Sequence, residues 1–557
     1  MVNKILSFLG RDIESINQAA YILALSTVFT QLLGLIRDRL LAGTFGAGEL
    51  LDVYYAAFKV QDIIFYCIAS LLSLAVLIPL LSESFEKEGI NKAKKLLDSL
   101  FTVSFVLIGI ASIIGFILAP KISELLFPGL AFGSHFEELV MMTRLLLISP
   151  FLFSFSGLLA SIVQLHNRFY LTALSPLLYN FGIIIGIVLL YPSFGFIGLG
   201  FGVLLGAFLH AFIQVPFVIQ KGLLPQFTLS ILWDDIRKSM GLYFYRGLGI
   251  GIQQIMFIFL LGLSTTIAAG SVSVMTLAQN LQGIPLSLIG GSYAIATFPV
   301  LSRFFSNGDR EAFIVQLQNA TRHIIFWSLP FAVLLIVLRA QIVRVILGSG
   351  SFSWSDTRLT AACLALFAVS VVFQGLSLLF IRAFYASQKN KEVLIVGFTS
   401  ALTTILLSYG GILIFEKFEL VQIFFEHLLR IEDINGSAIV MLPLAFSFGS
   451  MLNAIFFGII LKKTFSFKLG IVETSSHSFA ASVSIGFVSY EFLDYFGTVF
   501  NLNTTIGIFL QGFFSGILGI LFGIFLLFVL KNKEAIEVAR AIKRRIKGED
   551  IVGPQEI

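Results

Sequence analysis

The stretch IRDRLLAGTFGAGELLDVYYAAFK, from Ile36 to Lys59, joins the first two long apolar segments of the chain through a glycine-rich turn. It contains six charged residues, although only 12% of the 557 residues are charged. Charged side chains are costly inside a bilayer and are kept there mainly where they have a function. The stretch therefore indicates a helical hairpin in a membrane whose charges need an explanation.

The composition of the whole chain supports a membrane protein. Hydrophobic residues make up 57%, phenylalanine alone numbers 60, and the mean hydropathy is +0.95. A soluble protein carries about 25% charged residues, and the apolar runs far exceed the roughly 10-residue strands of outer-membrane barrels. We predict an all-α polytopic membrane protein.

The sequence shows no motif for catalysis, nucleotide binding or metal binding. Cys67 and Cys363 both lie in apolar runs, so they offer neither a disulfide framework nor a cysteine metal site. No P-loop, HExxH or paired-carboxylate motif is present. We expect neither an enzyme nor a resident cofactor or metal.

Apolar runs of about 20 residues are long enough to cross a bilayer as helices. Counting such runs predicts fourteen spans. Their approximate limits are 18–43, 51–82, 95–119, 138–165, 172–192, 194–220, 240–268, 271–302, 321–346, 357–386, 392–415, 437–463, 475–500 and 505–530.

The basic residues predict the orientation. Roughly 26 of the 37 lysines and arginines lie in the termini and in alternate loops, which the positive-inside rule makes cytoplasmic. Both termini should then be cytoplasmic, with 1–17 as an interfacial segment and 532–557 as a basic amphipathic tail. Attraction of the tail to anionic membrane lipids accounts for the net charge of +5 without nucleic acid.

The chain also resembles itself at an offset of about 220 residues, which predicts two related halves. PLLSESFEKEG from Pro79 recurs as PVLSRFFSNG from Pro299, and LAPKISELLFPGLAF from Leu118 is echoed by LRAQIVRVILGSGSF from Leu338. Six spans per copy is an even number, so the repeats are parallel. We expect two six-helix lobes, 18–221 and 222–465, around a central cavity suited to alternating access.

Helix two places charges along one face. Asp52, Lys59 and Asp62 are spaced seven and three residues apart, and Lys59 lies roughly 10 Å below Asp52. Such a face is expected to point into the protein or a wet cavity. Two purely structural interpretations remain open: a Lys59–Asp62 pair that locks helix two to its neighbours, and simple snorkelling of Arg37 and Asp38 at a helix end.

The second half supplies mostly amides. Gln253, Gln279 and Asn280 could line the cleft or only bond between helices. Arg246 is a further deep cation, early in helix seven.

LLGLIRDRLLAGTFGAGELLDVYYAAFKVQD, the run ending in LIPLLSESFEKEG, FPG at Phe127, and LHNRFY before SPLLYN resemble the MurJ (MviN)-type lipid II flippases. This family belongs to the multidrug/oligosaccharidyl-lipid/polysaccharide exporter superfamily. The resemblance implies two six-helix lobes plus two extra C-terminal helices within 466–531, which would hold a lipid tail. Arg37, Asp38, Asp52 and Lys59 match positions that the family usually keeps.

The resemblance also implies a function. An undecaprenyl-pyrophosphate-linked peptidoglycan precursor would be turned from the inner to the outer leaflet of the cytoplasmic membrane. The partners would be this polyprenyl-linked glycan lipid and the surrounding membrane lipids. We expect a monomer whose transport could be coupled to the membrane potential or to Na⁺ or H⁺.

The chain departs from the family pattern at several cationic positions. The family has arginine where Gln31, Phe65, Tyr66 and Asn280 stand, and an acid where Ser70 and Gly283 stand. Either this branch holds its lipid with Lys59, Arg37, Arg246 and amides, or it moves another polyprenyl-linked glycan. Two competing functions are a cation-coupled multidrug-type antiporter that uses Asp62 and a membrane scaffold that transports nothing.

Overall fold

A computed structural model describes residues 16–69, 74–465 and 472–546, and every regular element in these ranges is helical. The elements up to the middle of the chain are α1 (Ile16–Phe45), α2 (Glu49–Ala69), α3 (Leu74–Leu126), α4 (Phe136–Leu146), α5 (Ser149–Leu165), α6 (Phe169–Ile185), α7 (Tyr191–Phe194), α8 (Ile197–Phe212), α9 (Val215–Gln220) and α10 (Trp233–Thr265). They are followed by α11 (Ser271–Leu286), α12 (Ser292–Ser306), α13 (Arg310–Val337), α14 (Arg339–Leu347), α15 (Trp354–Ala386), α16 (Asn390–Lys417), α17 (Glu419–Leu429), α18 (Met441–Phe465), α19 (Val472–Val499), α20 (Thr505–Val529) and α21 (Lys533–Ile546).

The predicted all-α polytopic class is confirmed. Within the described ranges, eleven helical segments are long and apolar enough to cross a membrane. Helices α1 and α19 coincide with predicted spans one and thirteen, and α2 covers the first part of predicted span two (51–82), but none of the three is among these eleven. For α2 the reason is visible in the sequence, since it carries Glu49, Asp52, Lys59 and Asp62. The count of fourteen spans stays a prediction.

Some predicted boundaries differ from the observed helices. The apolar pattern runs on to residue 346, yet α13 ends at Val337 and the chain starts a new helix after Leu338 (φ −92°, ψ 13°). Helix α3 is interrupted at Gly89, whose φ of 80° is open to glycine but costly for other residues. The amphipathic helix α17 was not predicted, because it is shorter than a span.

The chain divides into two compact units. Unit 1 comprises Met1–Val274 and Ser349–Ser353, and unit 2 comprises Met275–Gly348 and Trp354–Ile557. The division falls inside α11, one helix beyond the predicted lobe boundary at 221/222. The repeat, the lobe limits and the central cavity stay predictions.

Unit 1 buries its core between α3, α5 and α9, and the residues of this core include Leu77, Leu97, Leu158, Ile162 and Val218. Helices α6 and α8 approach so closely that a Cβ at Gly182 would collide with the backbone of Gly206. Small residues permit such contacts between membrane helices. This packing fixes α6, which carries part of the site described below.

Unit 2 has its own core, in which α13, α15 and α18 bury Phe313, Phe380, Phe384 and Phe457. The C-terminal helix α21 is docked at its first turn: Asn532 accepts a hydrogen bond from the Ala535 N–H at 2.9 Å, and the Thr474 hydroxyl donates to Glu534 at 2.6 Å. Helix α21 covers part of the predicted basic tail. The predictions of an interfacial N-terminal segment and a basic C-terminal tail also concern residues 1–15 and 547–557. These residues lie outside the described ranges.

Candidate functional site

The first charged group of the site is built where α1 packs against α6. The Arg37 guanidinium donates to Asp38 Oδ1 at 2.9 and 2.8 Å and to Asn180 Oδ1 at 3.0 Å. Asn180 in turn donates to the carbonyl of Pro176, one turn earlier on α6, at 3.2 Å. Asp38 is buried. Arg37 is thus held in a defined orientation by two partners.

The second charged group lies on α2. Lys59 Nζ is 3.3 Å from Asp62 Oδ2, and the Gln254 amide of α10 donates to the same oxygen at 3.4 Å. The side chains of Lys59 and Asp62 are 20% and 24% exposed. The ion pair that the spacing on α2 allowed therefore exists, and it keeps an accessible surface.

An aromatic residue lies near both charged groups. Tyr179 of α6 lies close enough to both Arg37 and Asp62 to interact electrostatically with each. Its neighbour in the chain, Asn180, already binds Arg37. One segment of α6 thus lies near both charged groups, and we call these groups together the polar region of unit 1.

Asp52 lies in a different environment from Lys59 and Asp62. Its carboxylate is 1% exposed and accepts three hydrogen bonds, from the Gly270 N–H (2.7 Å), the Ser273 N–H (2.7 Å) and the Ser273 hydroxyl (2.6 Å). These donors belong to the first turn of α11 and the residue before it. A carboxylate is a favourable partner there because unpaired N–H groups and the helix dipole are both positive. Asp52 caps a helix.

The remaining predicted site residues are more widely distributed. Gln253 is half-buried on α10, next to Gln254. Arg246 also lies on α10, but its side chain is outside the described part of the structure. Gln279 and Asn280 are half-buried on the part of α11 that belongs to unit 2. Nothing in the described geometry of either unit brings these four residues together with the Lys59 pair.

Three contact residues escaped sequence reasoning as members of the site. The sequence places Asn180 and Tyr179 only within the motif SPLLYN, and Gln254 is not among its predicted site residues. An asparagine in the otherwise apolar run LSPLLYNFGIII could have indicated a polar partner. Among the described residues, no group of three or more His, Cys, Asp and Glu side chains could hold a metal ion.

Comparison with known proteins places this arrangement in context. A family model described as "Lipid II flippase MurJ" matches residues 41–510. The probable lipid II flippase MurJ of Bdellovibrio bacteriovorus is 26% identical over 402 residues, which cover 71% of this chain and 76% of that protein.

Two solved structures share the fold. One, described as "Lipid II flippase MurJ, inward closed conformation", matches with a TM-score of 0.71 and 22% identity over 93% of this chain and 100% of that one. The other, an inward-facing multidrug resistance MATE family transporter of the MOP superfamily, matches with a TM-score of 0.63 and 17% identity over 78% of this chain and 94% of that one.

Proposed function

The chain belongs to the lipid II flippase MurJ family, and from this premise we propose that it moves lipid II across the cytoplasmic membrane. Lipid II is an undecaprenyl-pyrophosphate-linked peptidoglycan precursor. The proposed transport carries its headgroup from the inner to the outer leaflet by alternating access. The basic residues support an inner-membrane orientation with both termini cytoplasmic.

The observation that carries this proposal is the partly exposed Lys59–Asp62 pair within α2. Ionised groups cost about 2.5–3.5 kcal/mol each near the centre of a membrane helix on insertion scales. A pair that served only to lock helices has no need of accessible surface, whereas a pair that binds substrate must face the protein interior or a wet cavity where the substrate can reach it. Lys59 and Asp62 instead remain 20% and 24% exposed, as a substrate-binding pair requires.

In this proposal the pyrophosphate is held by cations. Lys59 and Arg37 each donate to phosphate oxygens, and Arg37 can do so through two nitrogens at once. Asp62 and Asp38 partner these cations when no lipid is bound, so neither cation lacks a counter-ion before the lipid arrives. The polyprenyl tail remains in the lipid. Arg246, Gln253, Gln279 and Asn280 stay sequence-based candidates for further contacts to the headgroup.

Asp52 has a separate role in the proposal. The three hydrogen bonds to Asp52 hold the start of α11 against α2, at the end of these helices predicted to face outward. Opening toward the outer leaflet would break these bonds, and closing would restore them. Asp52 would thus set the stability of one transport state without contacting the lipid.

The direct test is depletion of the protein in its own host, in a strain without another exporter of this lipid. Lipid II should accumulate in the inner leaflet and cease to reach an enzyme or reagent confined to the outside. Unchanged delivery would refute the proposal. A cation-coupled antiporter that uses Asp62 is less well supported, because Lys59 already neutralises this carboxylate at 3.3 Å.

A further inference from the structure

Four aromatic rings form a continuous cluster beside the charged pair of α2. Phe65 and Tyr66 follow Asp62 on the same helix, with ring centroids 5.5 Å apart. Phe153 of α5 lies 5.7 Å from Phe65 and 5.2 Å from Tyr179 of α6. We call Phe65, Tyr66, Phe153 and Tyr179 the aromatic platform.

The platform is connected to the polar region. Tyr66 is four residues beyond Asp62 and seven beyond Lys59, so the three residues lie on one face of α2. Tyr66 interacts electrostatically with Asp62, and Tyr179 interacts with Asp62, Tyr66 and Arg37. The platform is therefore bordered by a cation, a carboxylate and an amide donor, with two phenol hydroxyls of its own.

Core packing alone does not account for these rings. The core phenylalanines of unit 2, such as Phe313 and Phe380, are 2% exposed or less. All four platform rings are half-buried, as Phe105 in another cluster of unit 1 also is, so it is their position beside Lys59 and Asp62 that distinguishes them. Lys59 and Asp62 are ionised, and ionised groups avoid hydrocarbon. Rings that border them are therefore not expected to face the lipid. Their remaining surface is best explained by a ligand that is apolar on one face and polar at its edges.

We propose that the aromatic platform binds the saccharide of a lipid-linked glycan, an inference that rests on the function proposed above. The C–H face of a pyranose ring is weakly positive and stacks on the negative face of an aromatic ring. The ring hydroxyls point outward from such a stack, where Asp62, Gln254 and the tyrosine hydroxyls can bond to them. The adjoining pyrophosphate then falls beside Lys59 and Arg37. The platform selects the sugar, and the cations select the pyrophosphate.

The test separates saccharide binding from pyrophosphate binding by using two probes with the same lipid tail. One probe is undecaprenyl pyrophosphate, and the second is the same lipid carrying the disaccharide without peptide. Affinities are measured for the full-length protein in nanodiscs. The substitution Phe65→Leu or Phe153→Leu should lower the affinity for the disaccharide probe about 3- to 10-fold. The affinity for undecaprenyl pyrophosphate should change by less than about twofold.

Matched variants keep the result interpretable. Phe105→Leu removes a half-buried ring from another aromatic cluster of unit 1, where Phe105 lies 4.9 Å from Phe151, and should alter neither affinity. Tyr179→Phe keeps the ring and removes only the hydroxyl, so its loss should be smaller than that of Tyr179→Leu. Thermal unfolding of each variant confirms that the protein is folded.

The outcomes distinguish the two proposals. If platform variants weaken both probes equally, or neither, the saccharide site is refuted while pyrophosphate binding still stands. If the unmodified protein binds neither probe, the proposed lipid II function itself fails. Selective loss of the disaccharide probe, with Lys59→Met weakening both probes, is the expected result.

Discussion

Asp52 and Asp62 lie on the same helix, ten residues apart, and the same carboxylate is used in two different ways. Asp52 is 1% exposed and accepts three hydrogen bonds from the start of α11. Asp62 is 24% exposed and shares one oxygen between Lys59 at 3.3 Å and Gln254 at 3.4 Å. The hydrogen-bonding capacity of the Asp52 carboxylate is filled by the protein, whereas the Asp62 carboxylate retains the capacity to bind a ligand.

This contrast separates structural from functional charges in a membrane helix. A buried carboxylate whose acceptor sites are filled by backbone N–H groups cannot exchange partners without local opening. A carboxylate held by one long ion pair can exchange its partner for a ligand at small cost. Variants of α2 should therefore divide into those that alter stability and those that alter binding.

The largest effect on stability is expected from Asp52→Ala. It leaves two N–H groups and a hydroxyl without their acceptor in a buried setting, so the free energy of unfolding should fall by about 2–3 kcal/mol. Denaturation in mixed micelles measures this loss. Glu49→Ala is the matched control on the same helix, because Glu49 accepts from Ser134 at 3.2 Å in an exposed position. Equal losses in the two variants would contradict the capping role.

Lys59→Met should show the opposite behaviour. Removing a charge-assisted contact is expected to weaken binding of undecaprenyl pyrophosphate by about 10- to 100-fold. The free energy of unfolding should change by less than about 1 kcal/mol, since the pair is partly exposed. Lys59→Arg should restore part of the affinity. Unchanged affinity in Lys59→Met would exclude Lys59 from the site.

Much of the fold could be predicted because it depends on local composition. Long apolar runs determine the membrane helices, and the spacing of Lys59 and Asp62 on α2 predicted their shared face. The break at Leu338 could not be predicted, because the apolar pattern continues through it. Hydropathy reports burial in the membrane and is insensitive to one changed dihedral angle.

The site was harder to predict than the fold because its partners are distant in sequence. Asp52 binds Gly270 and Ser273, which are 218 and 221 residues away. Arg37 binds Asn180 across 143 residues, and Asp62 meets Gln254 across 192. A single sequence shows which charges need partners but not which amide or backbone group supplies them.

Asn180→Ala tests the support of Arg37. The substitution removes the 3.0 Å bond to Arg37 Nη1, so the orientation of Arg37 then depends on its bonds to Asp38. We expect the affinity for the pyrophosphate probe to fall about 3- to 5-fold. Thr172→Ala on the same helix is the control, because the Thr172 hydroxyl donates to the carbonyl of Phe169 in its own helix. A loss as large as that of Lys59→Met would mean that Asn180 contacts the lipid itself.

The smallest effect is expected from Gln254→Leu, which also distinguishes two neighbouring amides. The bond from Gln254 to Asp62 Oδ2 is 3.4 Å long, and this oxygen is also paired with Lys59. Loss of the bond should therefore lower the affinity for the pyrophosphate probe by only about twofold. Gln253→Leu, one residue earlier on α10, is measured beside it. If Gln253→Leu has the larger effect, the amide that faces the headgroup is Gln253. The contact of Gln254 would then only position Asp62, and the polar region would extend along α10 away from Asp62.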